Sequence, residues 1–139
     1  MDRLRGFSLI ELITVMAIAA ILAALATQSY SRYVFRSHRA DAHQALMMIA
    51  QAQERWYATY NRYADDLGKL GMADSAISEH GYYALALRVL DKAEQGFVAM
   101  AMPIGRQLGD ACGNLSIDNA GRKLPDSADV KANANGSCW

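Results

Sequence analysis

The period of apolar and polar positions changes twice along this chain. From Phe7 to Ala26 almost every position is apolar, interrupted by one charge, Glu11, and by the hydroxyls of Ser8 and Thr14. A run of about 20 such residues is the length a helix needs to cross a bilayer. Farther on, Ala42, Leu46, Ile49, Gln53, Trp56 and Tyr60 follow steps of three and four, with Ala45 and Ala52 beside them. That spacing is one face of an amphipathic helix. No Gly or Pro stands between Gly6 and Gly68, so nothing in the chain stops the first helical pattern before the second begins. The two together predict one helix from about Phe7 to about Tyr60, ~80 Å long at 1.5 Å per residue.

After Tyr60 the period falls to two. Tyr83, Leu85, Leu87 and Val89 alternate with Tyr82, Ala84, Ala86 and Arg88, as expected for a strand with one face on a core. Residues 97–102 form a second apolar run, bounded by Gly96 and Pro103, with residues 91–96 as the turn before it. Leu115 and Ile117 mark a third strand, turned at Asn119-Ala120-Gly121, and a fourth is expected near residues 122–124. Glu54 to Tyr63 carries Trp56, Tyr57, Tyr60 and Tyr63 from the helix into a loop, where aromatic rings serve packing. The expected class is α+β: a long helix, half of it in a membrane, packed on a small antiparallel sheet of three or four strands.

Composition narrows the function. With 139 residues and one membrane segment there is room for one small head domain. Lys plus Arg equals Asp plus Glu at 14 each, so the chain is not a general polyanion binder. His38, His43 and His80 lack a Cys, Ser or carboxylate constellation for catalysis, and adjacent Asp65 and Asp66 have no further acids spaced to cage a cation. We therefore expect no enzyme, no metal and no cofactor. Arg32, Arg36, Arg39 and His43 repeat at helical spacing and read as a solvated polar face near the membrane. Asn114-Leu115-Ser116 and Asn135-Gly136-Ser137 fit the N-glycosylation pattern, which is common by chance. Two other accounts of the N-terminus stay open on these grounds. Arg3 and Arg5, the apolar core and Ala24-Leu25-Ala26 would serve an ordinary signal peptide cut before Thr27, and the same run would serve a plain anchor. Glu11 is out of place in either.

The string Arg5-Gly6-Phe7-Ser8-Leu9-Ile10-Glu11 resembles the class III signal of type IV pilins and pseudopilins. By that resemblance residues 1–6 are a leader, and a prepilin peptidase cuts between Gly6 and Phe7 and leaves Phe7 N-methylated. Residues 7–30 are the transmembrane and assembly half of the helix, and residues 31–139 the pilin head. Glu11 would face the terminal amine of a neighbouring subunit, since two charges each costly in lipid are tolerable as a pair. Many pilins carry Gly and Pro where this chain has Ala20 and Gln28, residues that do not loosen a helix in the same way. The resemblance also implies that Cys112 and Cys138 bound a C-terminal loop by a disulfide. Ala111 to Asp118 together with Cys138-Trp139 is similar to PilE-like minor pilins, a group related to ComP-type minor pilins.

These resemblances imply a minor pilin acting in type IV pilus assembly, adhesion and twitching. Its partners would be the peptidase, other pilin subunits, the assembly machinery and the inner membrane. The head would stand in the periplasm before assembly and outside the cell in the pilus. A type II secretion pseudopilin and a DNA-uptake receptor of the ComP type are the alternatives. The last would draw on Arg106, Arg122, Lys123 and Lys131, but Asp110, Asp118, Asp126 and Asp129 in the same segment bring the local charge to zero, which handicaps phosphate neutralisation.

Overall fold

The computed structural model describes residues 7–72, 76–90 and 94–139, with the backbone alone at residues 27–29. The expected leader with Gly6, the side chain of Gln28, and Asp91, Lys92 and Ala93 of the expected turn lie outside the described residues.

One helix, α1, runs from Leu9 to Tyr60. It opens at Ser8, whose Oγ accepts the Glu11 backbone N–H at 3.3 Å while its carbonyl accepts Leu12 N–H at 3.2 Å. Ser8 is thus the N-cap, with Glu11 at the third helical position, the spacing of a capping box. The helix ends at Asn61, which takes φ +54° and donates its N–H to the Tyr57 carbonyl at 2.8 Å. Asn is one of the few residues that enters this left-handed region at low cost, which makes it a natural helix stop.

Two compact units divide the chain, the first ending at Val34 and the second comprising Phe35–Trp139. In the first, α1 leaves its apolar side chains uncovered, from Leu9, Ile10 and Leu12 to Leu22 and Leu25. The Thr14 hydroxyl bonds back to the carbonyls of Ile10 and Glu11, so it adds no unsatisfied polar group to that surface.

In the second unit the helix packs on a four-stranded antiparallel meander in the order β1 (Tyr83–Val89), β2 (Phe97–Pro103), β3 (Leu115–Asp118) and β4 (Lys123–Leu124). Register runs without interruption from Tyr83 opposite Pro103 to Val89 opposite Phe97, and β3 continues with Ala99 opposite Ile117. Ala42, Leu46 and Ile49 of α1 meet Tyr83, Phe97, Ala99, Ala101, Leu115 and Ile117 of the sheet in one core. The expected alternation is clean in β3 and blurred in β1, where Ala84 and Ala86 are half-buried on the other face. Tyr60 does not belong to the core stripe: it is 53% exposed, with its ring tilted against that of Trp56 one turn earlier at 4.2 Å. Gln53 is fully buried, and its amide pairs both ways with the Ala64 backbone, N–H and carbonyl each at 2.8 Å. That double bond returns the chain to the helix after its end, so the loop starts from a fixed point.

Cys112 and Cys138 are joined, 26 residues apart in sequence, and close the C-terminal loop. Fold and disulfide stand as the resemblance implied.

Candidate functional site

Two features of the chain have the chemistry to do more than fold. The first lies at the start of α1. Phe7 is 86% exposed, and Glu11 is the one charged side chain on the uncovered helix surface between residues 7 and 26. Its place at the third helical position gives it a local role as well, because an acid in the first turn complements the positive end of the helix dipole. The resemblance had offered it only as an assembly partner. The string Ser8-x-x-Glu11 carried the capping signal in plain view.

The second is the C-terminal loop and the helix face that holds it. Arg39, 2% exposed, grips Asp110 with two hydrogen bonds, Nε to Oδ2 at 2.7 Å and Nη2 to Oδ1 at 2.6 Å. Its remaining N–H groups donate to the carbonyls of Gly136 at 3.1 Å, Ser137 at 2.8 Å and Asn135 at 3.3 Å. One guanidinium therefore reads three successive loop carbonyls while its charge is met by a bidentate carboxylate. This overturns the expectation that Arg39 belongs to a solvated stripe. It precedes Ala42 by three positions and Leu46 by seven, so the buried period reached back to it, and its charge hid that signal.

Gln107 supports the pair from below the loop. Fully buried, it shares the two N–H groups of its Nε2 among Asp110 Oδ2 at 3.0 Å, the Tyr83 hydroxyl at 2.9 Å and the Phe35 carbonyl at 3.2 Å. Its Oε1 then accepts from His38 Nδ1 at 3.1 Å, which puts the imidazole proton on Nδ1. Burial and the nearby Asp110 push the Tyr83 phenol up to about 12. His43 Nε2 donates to the Cys138 carbonyl at 2.7 Å, and its ring stacks on Trp139 at 4.7 Å. Burial, then the charges of Lys123 and Arg39, hold His43 below its usual range, so it is neutral there. Gly136, at φ +86°, is needed for close approach: a Cβ would come within 2.9 Å of the Arg36 side chain.

The histidines that lacked catalytic partners in sequence are thus structural. His80 completes the set: its Nδ1 and backbone N–H meet Asp41 Oδ1 at 3.2 and 3.1 Å. Asp41 also accepts from the Ser78 hydroxyl and from Tyr82 N–H. Burial works against its ionised form, but these hydrogen bonds outweigh it and lower the carboxyl below its ordinary value.

The four cations offered for a polyanion stand apart in their engagement. Arg122 is paired with Asp118 at 2.7 Å. Lys123 lies 4.8 Å over the Trp139 ring, which also stacks on His43 and donates its Nε1 N–H to the Leu124 carbonyl at 2.9 Å. Arg106, on the short turn Gly105–Gly109, and Lys131 are exposed and have no ion-pair partner among the described residues. Asp65 and Asp66 do not converge on a cation: one pairs with Lys69 at 2.6 Å and the other accepts Gly68 N–H at 2.6 Å. Among the described residues there is no group of three metal-ligating side chains.

Comparison with known proteins places these features. Residues 1–27 match the family model of the prokaryotic N-terminal methylation motif. Residues 28–116 match a model described as type IV minor pilin ComP, DNA uptake sequence receptor. The type IV major pilin protein PilA of Myxococcus xanthus (strain DK1622) is 36% identical over 80 residues, which is 58% of this chain and 36% of that protein. The type IV major pilin protein PilE of Neisseria gonorrhoeae is 32% identical over 102 residues, 70% of this chain and 56% of that one. The chain thus spans between about a third and just over half of these relatives' lengths. A high-resolution structure of a type IV pilin from Shewanella oneidensis aligns with a TM-score of 0.56 at 28% identity, covering 76% of this chain and 97% of that one. With its methylation motif, its uncovered N-terminal helix, its four-stranded meander and its disulfide-closed loop, this chain belongs to the type IV pilin family, structural subunits of pili, and carries a ComP-like region over residues 28–116.

Proposed function

We propose that this chain is a minor pilin that a prepilin peptidase cuts between Gly6 and Phe7, and that Glu11 then sets its register among neighbouring helices. The observation that carries this reading is the uncovered apolar surface of α1 with one charge on it. Apolar helices pack with little register, because one Leu or Ala resembles the next, and a carboxylate opposite a terminal amine supplies it. Before assembly that surface is lipid-facing, with the head in the periplasm. Afterwards it is buried among other subunits of an extracellular pilus that serves adhesion and twitching.

The capping role of Glu11 sets the test. Gln serves a capping box as Glu does but carries no charge. Glu11→Gln should therefore be inserted and processed normally, with mass spectrometry finding N-methylated Phe7 as its first residue, and should be absent from sheared pili. Full incorporation of Glu11→Gln would reduce Glu11 to a helix cap. A mature terminus at Thr27 would overturn the processing step itself.

A second reading, a DNA-uptake receptor, draws on the description of the family model matched by residues 28–116. Of the four cations named for it, Arg106 alone falls inside that match. Among the described residues Arg106 and Lys131 have neither an ion-pair nor a ring partner, so their joint replacement by Ala should abolish a gel shift by the purified full chain if this reading holds, while leaving piliation intact. Replacing Arg122, already paired with Asp118, should change the shift little.

A further inference from the structure

The four aromatic residues that close α1 were expected to serve packing alike, and the structure divides them. Tyr57 and Tyr63 meet ring to ring at 4.7 Å, Tyr63 sets its edge on Phe97 at 4.9 Å, and the Tyr57 hydroxyl donates to Gln95 Oε1 at 3.0 Å. Trp56 and Tyr60, four positions apart, share another face of the helix and pair with each other at 4.2 Å. They line a cavity of about 260 Å³ whose opposite wall is Lys69 and Leu70 of the short turn Gly68–Leu70. That wall is fixed: Leu70 N–H donates to the Leu67 carbonyl at 3.1 Å, Gly71 N–H to the Gly68 carbonyl at 3.0 Å, and Leu70 packs against the core of the head. All the residues lining the cavity are described. Met72 and Ile77, which stand on either side of residues 73–75 in sequence, line a different cavity, against residues 41–49 of α1.

Arg55 and Lys69 bring charge to the cavity, and no acid is among its lining residues. Lys69 is already matched by Asp65 at 2.6 Å, so the site carries one net positive charge, on the Arg55 guanidinium. Aromatic faces are electrically negative, whereas the C–H face of a pyranose ring is apolar and faintly positive, so the two attract as flat surfaces. A guanidinium takes a carboxylate through two parallel N–H bonds. We propose that this cavity binds a sugar acid, one pyranose unit bearing a single carboxylate. Its C–H face rests on Trp56 and Tyr60, its carboxylate meets Arg55, and a ring hydroxyl accepts from Lys69 Nζ. Apolar walls with a few placed polar groups are the usual form of a small-molecule site. One net charge suits one carboxylate; a nucleic-acid strand draws its affinity from several phosphates neutralised together. The inference is independent of how Glu11 acts in assembly.

The test uses the full chain in micelles of a detergent without sugar headgroups, titrated with methyl β-glucuronide and with neutral methyl β-glucoside. The chain has two tryptophans, so their indole N–H signals in a nuclear magnetic resonance spectrum give a probe and an internal control. The Trp56 signal should shift saturably while that of Trp139 stays in place, and the glucuronide should bind at least tenfold more tightly than the glucoside. Arg55→Gln should weaken the glucuronide at least tenfold and leave the glucoside within about twofold. Tyr60→Ala, at an exposed position, should weaken both sugars at least fivefold while the circular dichroism of the head is retained. The titration of the unaltered protein decides the matter even if a variant fails to fold. No saturable shift at Trp56, equal affinity for the two sugars, or a preference that survives Arg55→Gln would overturn the proposal. So would tighter binding at Trp56 by octathymidylate than by the glucuronide, which would assign the cavity to single-stranded nucleic acid.

Discussion

Both halves of α1 present Leu, Ile and Ala at helical spacing, and they finish differently. In the first unit Leu9 to Leu25 leave their side chains uncovered; in the second, Ala42, Leu46 and Ile49 bury theirs completely. The difference lies in what the helix carries between apolar positions. The polar side chains of the apolar run, Ser8, Glu11 and Thr14, make no contact with a loop or strand among the described residues, so no part of the head covers that surface. The second carries Arg39, Asp41, His43 and Gln53, which together bind three parts of the head: Arg39 and His43 the C-terminal loop, Asp41 the segment Ser78–Tyr82 and Gln53 the Ala64 backbone. One half is completed by its surroundings and the other by its own chain.

The largest effect should come from cutting the strongest of those bonds. Arg39→Ala leaves Asp110 buried without a counterion and orphans three loop carbonyls, and should cost the head about 3 to 5 kcal/mol in urea unfolding. The paired change Arg39→Met with Asp110→Leu should recover most of that loss, since buried ion pairs give little net stability over apolar residues of similar size. If Arg39→Ala proves nearly silent, the head does not depend on helix-borne polar groups and the contrast between the halves fails.

Next in size is the disulfide. Replacing Cys112 and Cys138 by Ser should cost about 3 kcal/mol by the loop-closure model for their separation. Because Arg39 and His43 hold residues 135–138 independently, the loop should stay docked: hydrogen exchange after Leu124 should rise, yet less than it does in Arg39→Ala. Complete release of the loop on reduction alone would make the covalent link the sole tie.

The fold was legible because each of its elements repeats a simple period. The apolar run, the core stripe of α1, the alternation in β3 and the turn at Asn119-Ala120-Gly121 all show on one line of sequence. The polar contacts were not, because they join residues far apart. Arg39 and Asp110 are 71 positions from one another, and nothing local to either predicts the other. The sequence also misled where a charge sat on a buried stripe, as at Arg39, whereas the charge balance read in the C-terminal segment has a direct counterpart in Arg122, which Asp118 neutralises four residues away. Phe7 and Glu11 were read from a motif and not from a packing period.

A smaller effect separates the second half of the helix by pH. The Asp41 carboxyl is lowered in the folded head, so its contribution is fully present above the unfolded value of about 3.9 and is lost as pH falls through the folded value. His43, also lowered, adds a loss in the same direction that starts earlier, below about 6.5. Acidification should thus loosen the head in two stages, first at Cys138 and then at Ser78–Tyr82, as read by amide exchange at those residues. Asp41→Asn should remove the lower stage and keep the upper. The first half of the helix has neither group and should show no counterpart.

The smallest effect is the most direct check on the comparison. Leu22 and Leu46 are the same residue on the same helix, the one 61% exposed and the other fully buried. Leu46→Ala removes packed atoms from the core and should cost about 2 to 5 kcal/mol. Leu22→Ala opens no cavity in this chain, so unfolding of the head in detergent should shift by less than about 0.5 kcal/mol. Its loss should appear only where neighbours cover it, as reduced recovery in sheared pili at unchanged membrane levels. If Leu22→Ala lowers head stability as Leu46→Ala does, the first half is packed against its own chain, and its apolar surface is not waiting for lipid or for other subunits.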